Sequence, residues 1–374
     1  MQNTADIVVI GGGAIGCSTA YHLAQLNVSN IVVVEMNGIG SGSSSKTASV
    51  FTLHLANELG LRLGLLANEQ FFSLVDRYGD DLGIRKIGFI GVATEETAQF
   101  LSQTIGMLDS AGVKVSQLDQ IALASLYPEV NCRDVVLASW APDDFIFDPH
   151  MLIQLYVQKA RERGVVFMED TVATGILVGQ GRIRGVATNR GIISTGTVVN
   201  AAGPWASVVG EWTGTKIPLV NRSRSIVITK PFPHIPPNRP CIEDMTVEWY
   251  TRPETGCMLM GMGNSIANDL LPPFDNSILE PMINAAIHRI PVLENAGFLT
   301  GWTGIRPMTP DNLPLLSNVN EVKGLYVNAG WGGEGVMLSP VSGQLLAELI
   351  TGTGPGNLDM SLLRLDRFGQ DLDM

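Results

Sequence analysis

Thr4-Ala5-Asp6-Ile7-Val8-Val9-Ile10-Gly11-Gly12-Gly13-Ala14-Ile15-Gly16 is the stretch that decides the fold. The apolar run up to Ile10 enters the glycines without a break, which predicts a buried strand leading into a tight turn. Cys17 to Ala24 have helix-forming character, and a second apolar run, Ile31 to Val34, ends at Glu35. Strand, glycine turn, helix, strand and acid follow in the order of a dinucleotide-binding βαβ unit. In that unit Gly11 permits the turn, Gly13 lets backbone N–H groups approach a pyrophosphate, and Gly16 lets helix and strand pack closely. The phosphates would sit at the positive helix N-terminus, at Ala14 and Ile15, and Glu35 would accept a hydrogen bond from a ribose hydroxyl. The competing reading is an ordinary glycine-rich turn. The strand, helix and acid in their required places weigh against it.

The chain has 374 residues, more than a single hydrophobic core usually serves, so two domains are expected. Hydrophobic residues make up 45% and charged residues 16%, a globular balance. A net charge of −12 argues against nucleic acid and anionic lipid, which need a basic face. Cys17, Cys132, Cys241 and Cys257 form no C-x-x-C pair, which suggests reduced thiols and a cytoplasmic protein. Neither they nor the histidines have metal-ligand spacing, so no metal is expected. The N-terminal apolar run is strand-length and lacks a basic flank, so it does not read as a signal peptide. His54, Asn57, Glu58 and Arg62 interrupt the apolar stretch 53–66, which rules against a membrane span there.

Further along, Gly38 to Ser49 is rich in glycine and serine and suits a second phosphate contact just before an expected helix. Periodicity predicts helices over 55–78 and 95–110 and strands over 87–93 and 135–140, with 111–142 otherwise irregular. Asp148 reads as an N-cap with Pro149 at the first helical position. A strand at 165–168 and hairpins around 179–181 and 189–191 lead to Val199. Proline and arginine become frequent over 217–240. Strands are expected at 225–229, 246–251 and 258–262, with a helix over 278–289. A strand at 324–329 and a helix over 339–350 close the chain.

Four stretches carry a family resemblance: Ile10 to Gly16, Val199-Asn200-Ala201-Ala202-Gly203-Pro204-Trp205, Gly304-Ile305-Arg306-Pro307-Met308-Thr309-Pro310-Asp311, and Gly330 to Pro340. Together they resemble the D-amino-acid-oxidase-like flavoproteins, which include glycine oxidase, sarcosine oxidases and the β-subunits of sarcosine oxidase, proline dehydrogenase and opine oxidase. The resemblance implies an α/β chain with a discontinuous Rossmann-like FAD-binding domain (1–86, 148–215 and 300–374). The second, substrate-binding domain (87–147 and 216–299) would be built on a mixed, largely antiparallel sheet.

The resemblance also implies residue roles. Gly11, Gly13, Gly16 and Glu35 would hold the ADP half of FAD. Ser43, Ser44, Lys46 and Thr47 would lie near pyrophosphate and ring, Val172 would offer backbone groups to adenine, and Ala201 and Gly203 would line the cofactor. Met36 stands where many relatives have a basic residue. Gly304 stands roughly where some sarcosine oxidases have a flavin-linking cysteine, so FAD is expected to be non-covalent.

Arg306 corresponds to the arginine that clamps the substrate carboxylate in relatives, by two charge-assisted hydrogen bonds. A structural pairing with Asp311 is the alternative. Tyr250 would help hold the carboxylate, and Trp331 and Trp302 would wall the pocket. Gly330, Gly332, Gly333, Glu334, Gly335, Val336 and Met337 would present backbone N–H groups and a helix N-terminus to the flavin. Glu334 is unusual, since some relatives have histidine there. His54, His150, His234 and His288 read as structural or surface residues.

The implied activity is oxidation of the C–N bond of a small amino acid or N-substituted amino acid, by hydride transfer to flavin N5. The product is an imine that hydrolyses. The alternatives are a 2-hydroxy-acid dehydrogenase on the same fold or a non-catalytic FAD-containing subunit. Electrons would pass to oxygen, a quinone or a partner subunit, the last within a hetero-oligomer.

Overall fold

The computed structural model describes residues 3–354 and 358–369. Strand Ile7–Ile10 is buried along its whole length. It pairs in parallel with Ile31–Val34 on one side and Val198–Asn200 on the other. Beyond these lie Val166–Met168 at one edge and, at the other, Leu325–Ala329 followed by Leu315–Asn318, which completes a six-stranded sheet. Only the pair 315–318 and 325–329 is antiparallel. Helices Ala14–Gln25, Pro149–Arg161 and Ser339–Thr351 cover one face, packing around Val9 and Val33. A three-stranded antiparallel sheet, Ala173–Gly179, Arg182–Thr188 and Gly191–Ser194, covers Val8, Ile10 and Val32 on the other. Coverage of both faces explains why these strands read as continuous apolar runs without alternation.

The turn after Ile10 leaves no room for a side chain. A Cβ on Gly16 would stand 1.9 Å from the Gly11 carbonyl oxygen, so glycine lets the helix start directly against the strand end.

The second sheet has eight strands. Their order is Phe298–Met308, Val220–Thr229, Cys257–Ile266, Trp249–Glu254, Cys241–Asp244, Phe89–Ala93, Leu137–Ala141 and Ser116–Leu118. It is antiparallel except between 89–93 and 241–244, hence mixed and largely antiparallel as expected. One face buries Ile90, Trp249, Met258 and Met260 under helix Leu279–Arg289. Arg289 on that helix is buried and pairs with Asp244 at 2.8 Å and Asp134 at 2.9 Å, which locks helix to sheet. On the opposite face the register aligns Ser139, Gly91, Glu243, Tyr250, Gly261, Ile226 and Trp302 in one cross-strand row. The Tyr250 ring lies across Gly261, where a Cβ would meet its Cζ at 2.1 Å.

Several expected boundaries move. The division at 299/300 falls inside strand Phe298–Met308, which pairs with Val220–Thr229 almost residue by residue, so Arg306 belongs to the second sheet. The helix expected from 55 begins at Glu58, because the Asn57 side chain accepts from the Gly60 N–H at 2.8 Å and caps it. The glycine- and serine-rich loop therefore does not lead straight into a helix. It forms a short 3₁₀ turn, Ser43–Lys46, and a strand, Val50–Phe51, first. The stretch 111–142, expected to be irregular apart from one strand, also holds Ser116–Leu118 and helix Gln120–Leu126.

Candidate active site

A cavity of about 670 Å³ runs from the glycine turn to the inner face of the second sheet. At its first end Gly11, Gly13, Ala14 and Ile15 form the wall. Gly13 gives helix Ala14–Gln25 no side-chain cap; Ser44 Oγ accepts from the Ala14 N–H at 3.0 Å. The rest of that first turn carries free N–H groups toward the cavity mouth. Glu35 is held by its own surroundings, with Oε2 accepting from Gly12 N at 2.7 Å and Oε1 from Asn37 N at 3.0 Å. Glu35 also lines the cavity, with acceptor capacity left on both oxygens.

Val172 also lines this end. The expected adenine contact through its backbone meets an obstacle. Its N–H already donates to Asn189 Oδ1 at 3.0 Å and its carbonyl accepts from Asn189 N at 3.0 Å. That donor is used up, so only side-chain contact and a second acceptor lone pair are left for a ligand.

Loop 41–47 bridges the two halves. Ser43 Oγ donates to the Ile305 carbonyl at 2.8 Å, and the Lys46 side chain packs against Gly304. Ser43, Ser44, Lys46, Thr47, Ala201, Gly203 and Gly304 all line the cavity. The Lys46 ammonium has no hydrogen-bond or ion-pair partner among the described residues. Gly16 is not part of the wall; its place is the helix–strand contact.

The far end is built from both sheets. Turn 330–335 docks on strand Phe298–Met308, with Gly332 N donating to the Pro307 carbonyl at 3.0 Å. Trp331 is buried, and its indole N–H donates to Asn328 Oδ1 at 2.7 Å, which fixes the ring in the wall. Gly330, Gly332, Gly333, Gly335, Val336 and Met337 continue that wall. The Arg306 guanidinium lies against Gly333, where a Cβ would stand 2.7 Å from its Cζ. Among the described residues the Arg306 guanidinium forms no hydrogen bond or ion pair. Asp311, its alternative partner, instead accepts from Arg367 at 2.8 and 3.0 Å. Burial and the neighbouring Arg224 both depress the Arg306 pKa. Tyr250, Glu243 and Glu334 supply the opposing negative field.

Trp302 departs from expectation. It lies outside the cavity lining and packs with Ile226, Ile228, Tyr250 and Leu259, its indole N–H buried without a partner. As the last member of the cross-strand row it sits behind the wall rather than in it.

Sequence reading missed Arg224 and Glu243. Arg224 is buried, its Nη2 donates to the Glu248 carbonyl at 2.7 Å, and its guanidinium lies 4.9 Å from the Tyr250 ring centroid. Glu243 is Tyr250's cross-strand neighbour. Burial pushes its carboxyl up, against the lowering fields of Arg224, Arg306 and His54. Strand alternation was the available signal: Arg224 shares a face with Ile226 and Ile228. His54 also lines the cavity, held by Ser139 at 2.8 Å and Thr52 at 3.2 Å.

A family model described as FAD dependent oxidoreductase matches residues 6–349. The chain belongs to this family. Across its full length it is 30% identical to mouse mitochondrial sarcosine dehydrogenase, spanning 42% of that protein. The chain thus spans less than half the length of this curated relative. The hydrogen cyanide synthase subunit HcnC of Pseudomonas aeruginosa is 28% identical, with 94% of this chain and 93% of that one covered. The crystal structure of L-proline dehydrogenase from P. horikoshii superposes with a TM-score of 0.90 at 28% identity, covering 98% of each chain.

The family's FAD fits these residues. The N–H groups of the first helical turn beyond Ala14 and the unpartnered Lys46 suit a pyrophosphate, and the oriented Glu35 suits a ribose. The length of the cavity reaches from there to Arg306. Among the described residues no helix is long and apolar enough to cross a membrane, and no histidine, cysteine and acid group could hold a metal.

Proposed function

We propose that this chain oxidises the C–N bond of a small amino acid or N-substituted amino acid. The observation that carries the proposal is Arg306, whose guanidinium lies in the cavity wall with no hydrogen-bond or ion-pair partner among the described residues. A planar fork depressed by burial and by Arg224 gains most from a carboxylate, which can take two parallel hydrogen bonds. Bound FAD supplies the hydride acceptor. Arg306 fixes the carboxylate end of the substrate, and with it the position of the α-carbon. The Tyr250 hydroxyl has no hydrogen-bond partner among the described residues and is the second polar group at this end. Ile226, Trp331, Val336 and Met337 make the intervening wall apolar and limit water there. The name of HcnC, a synthase subunit, supports a hetero-oligomeric setting.

The test is an anaerobic screen of flavin absorbance against glycine, sarcosine, D- and L-proline, opines and 2-hydroxy acids. At least one amino acid should bleach the flavin, and the hydroxy acids should not. Bleaching by hydroxy acids alone would replace this reading with a 2-hydroxy-acid dehydrogenase.

A further inference from the structure

Glu334 lines the cavity one residue from the glycine that supports the Arg306 guanidinium. Its side chain has no hydrogen-bond or ion-pair partner among the described residues. Glu334 is exposed within the cavity that it lines, and nearby protein raises its carboxyl to about 7. The charges of the pocket are shared unevenly. Glu243 faces three cationic or protonatable groups: Arg224, Arg306 and His54. Arg224 in turn has Glu248 at 3.5 Å. Glu334 has only Arg306 acting on it.

This imbalance has a direct consequence for ligands. A carboxylate bound to Arg306 neutralises the cation next to Glu334 and sets a second anion beside the Glu334 carboxylate. The ligand must then bring a cation of its own, or Glu334 must take up a proton. From this geometry we infer that Arg306 and Glu334 together read an amino acid zwitterion, Arg306 taking the carboxylate and Glu334 the ammonium. Glu334 is therefore a specificity-determining residue that favours amino acids over otherwise identical carboxylates. The inference rests on the reading of Arg306 as a carboxylate clamp and goes beyond it.

The holoenzyme can be tested with two isosteric probes, 2-aminoisobutyrate and pivalate. They differ only by an ammonium in place of a methyl group, and neither has an α-hydrogen to transfer. Dissociation constants are read from the ligand-induced change in flavin absorbance, at a pH above the Glu334 pKa. The wild type should prefer 2-aminoisobutyrate by about tenfold or more, the scale of one charge-assisted hydrogen bond. E334Q should lose most of that preference while keeping its FAD content and binding pivalate at least as well. In the wild type, calorimetry in buffers of different ionisation enthalpy should show proton uptake when pivalate binds. An E334Q variant that keeps the preference overturns the inference, as does a wild type without preference or proton uptake. Loss of FAD from E334Q with the preference intact also overturns it, by assigning the carboxyl to the cofactor. If neither probe binds the wild type, the carboxylate clamp itself fails and the inference falls with it.

Discussion

Replacing Arg306 with alanine separates catalytic from structural arginine more sharply than any other substitution in this chain. The guanidinium forms no hydrogen bond or ion pair with the described residues, so its removal leaves no buried acceptor unpaired. It relieves the repulsion with Arg224 but gives up the attraction to Glu243 and Glu334, so the two electrostatic changes oppose each other. Unfolding free energy should therefore change by no more than about 1 kcal/mol. Substrate should lose two charge-assisted hydrogen bonds of about 1.5–3 kcal/mol each, lowering kcat/KM by a factor on the order of 10² to 10⁴. R306K keeps the charge but not the fork and should fall between the two. The assay pairs steady-state or flavin-reduction kinetics with urea unfolding and a flavin spectrum. A kcat/KM within about tenfold of wild type refutes the clamp. So does a large loss of stability, because Arg306 would then have a structural partner.

R289M leaves Asp244 and Asp134 without their shared cation and should destabilise the protein by about 3–5 kcal/mol in urea unfolding. The double variant R289M/D244L should recover a large part of that loss, and no recovery would mean that the helix contact itself is at fault. G16A places a methyl group 1.9 Å from the Gly11 oxygen and should cost about 3 kcal/mol together with FAD retention. A G16A variant as stable as wild type would show that the turn relaxes freely. Glu334 has a folded pKa of about 7, above its ordinary 4.5, so the unfolded chain releases its proton first as pH rises. Its stabilising contribution is complete below pH 4.5 and disappears as pH passes 7. Without ligand, wild type should lose thermal stability relative to E334Q across that window, and parallel curves would disprove the shift.

The cofactor end of the cavity was legible because it is local. Strand, turn, helix and acid lie within the first 35 residues, and backbone conformation does the work there. The far end was only half legible. Arg306 and turn 330–335 carry motifs, but Arg224, Glu243 and His54 meet them only through sheet register. Register across an eight-stranded sheet is a long-range property that no window of sequence contains. The same limit explains Trp302, whose place behind the wall follows from pairing with Ile226. It also explains the misplaced boundary at 299/300, since strand Phe298–Met308 begins with exposed residues and looks like a connection until its partner is known. Val172 shows the converse: a position matched by motif can have its backbone donor claimed by a distant side chain, here Asn189.

These two modes of construction imply two separable kinds of variation. Backbone groups and a helix end recognise a pyrophosphate without regard to most side chains, so substitutions there either preserve the turn or break it. At the other end the wall is built from side chains on strands backed by the Arg289–Asp244 pair; Ser139 and Arg224 hold hydrogen bonds to His54 and Glu248 there, whereas other positions hold none. The Arg306 and Glu334 side chains have no hydrogen-bond or ion-pair partners to lose among the described residues. Exchanging either therefore alters what the pocket attracts at little structural cost. Under the proposed function, the choice of substrate would be set at this end, at Arg306 and Glu334, and not at the glycine turn.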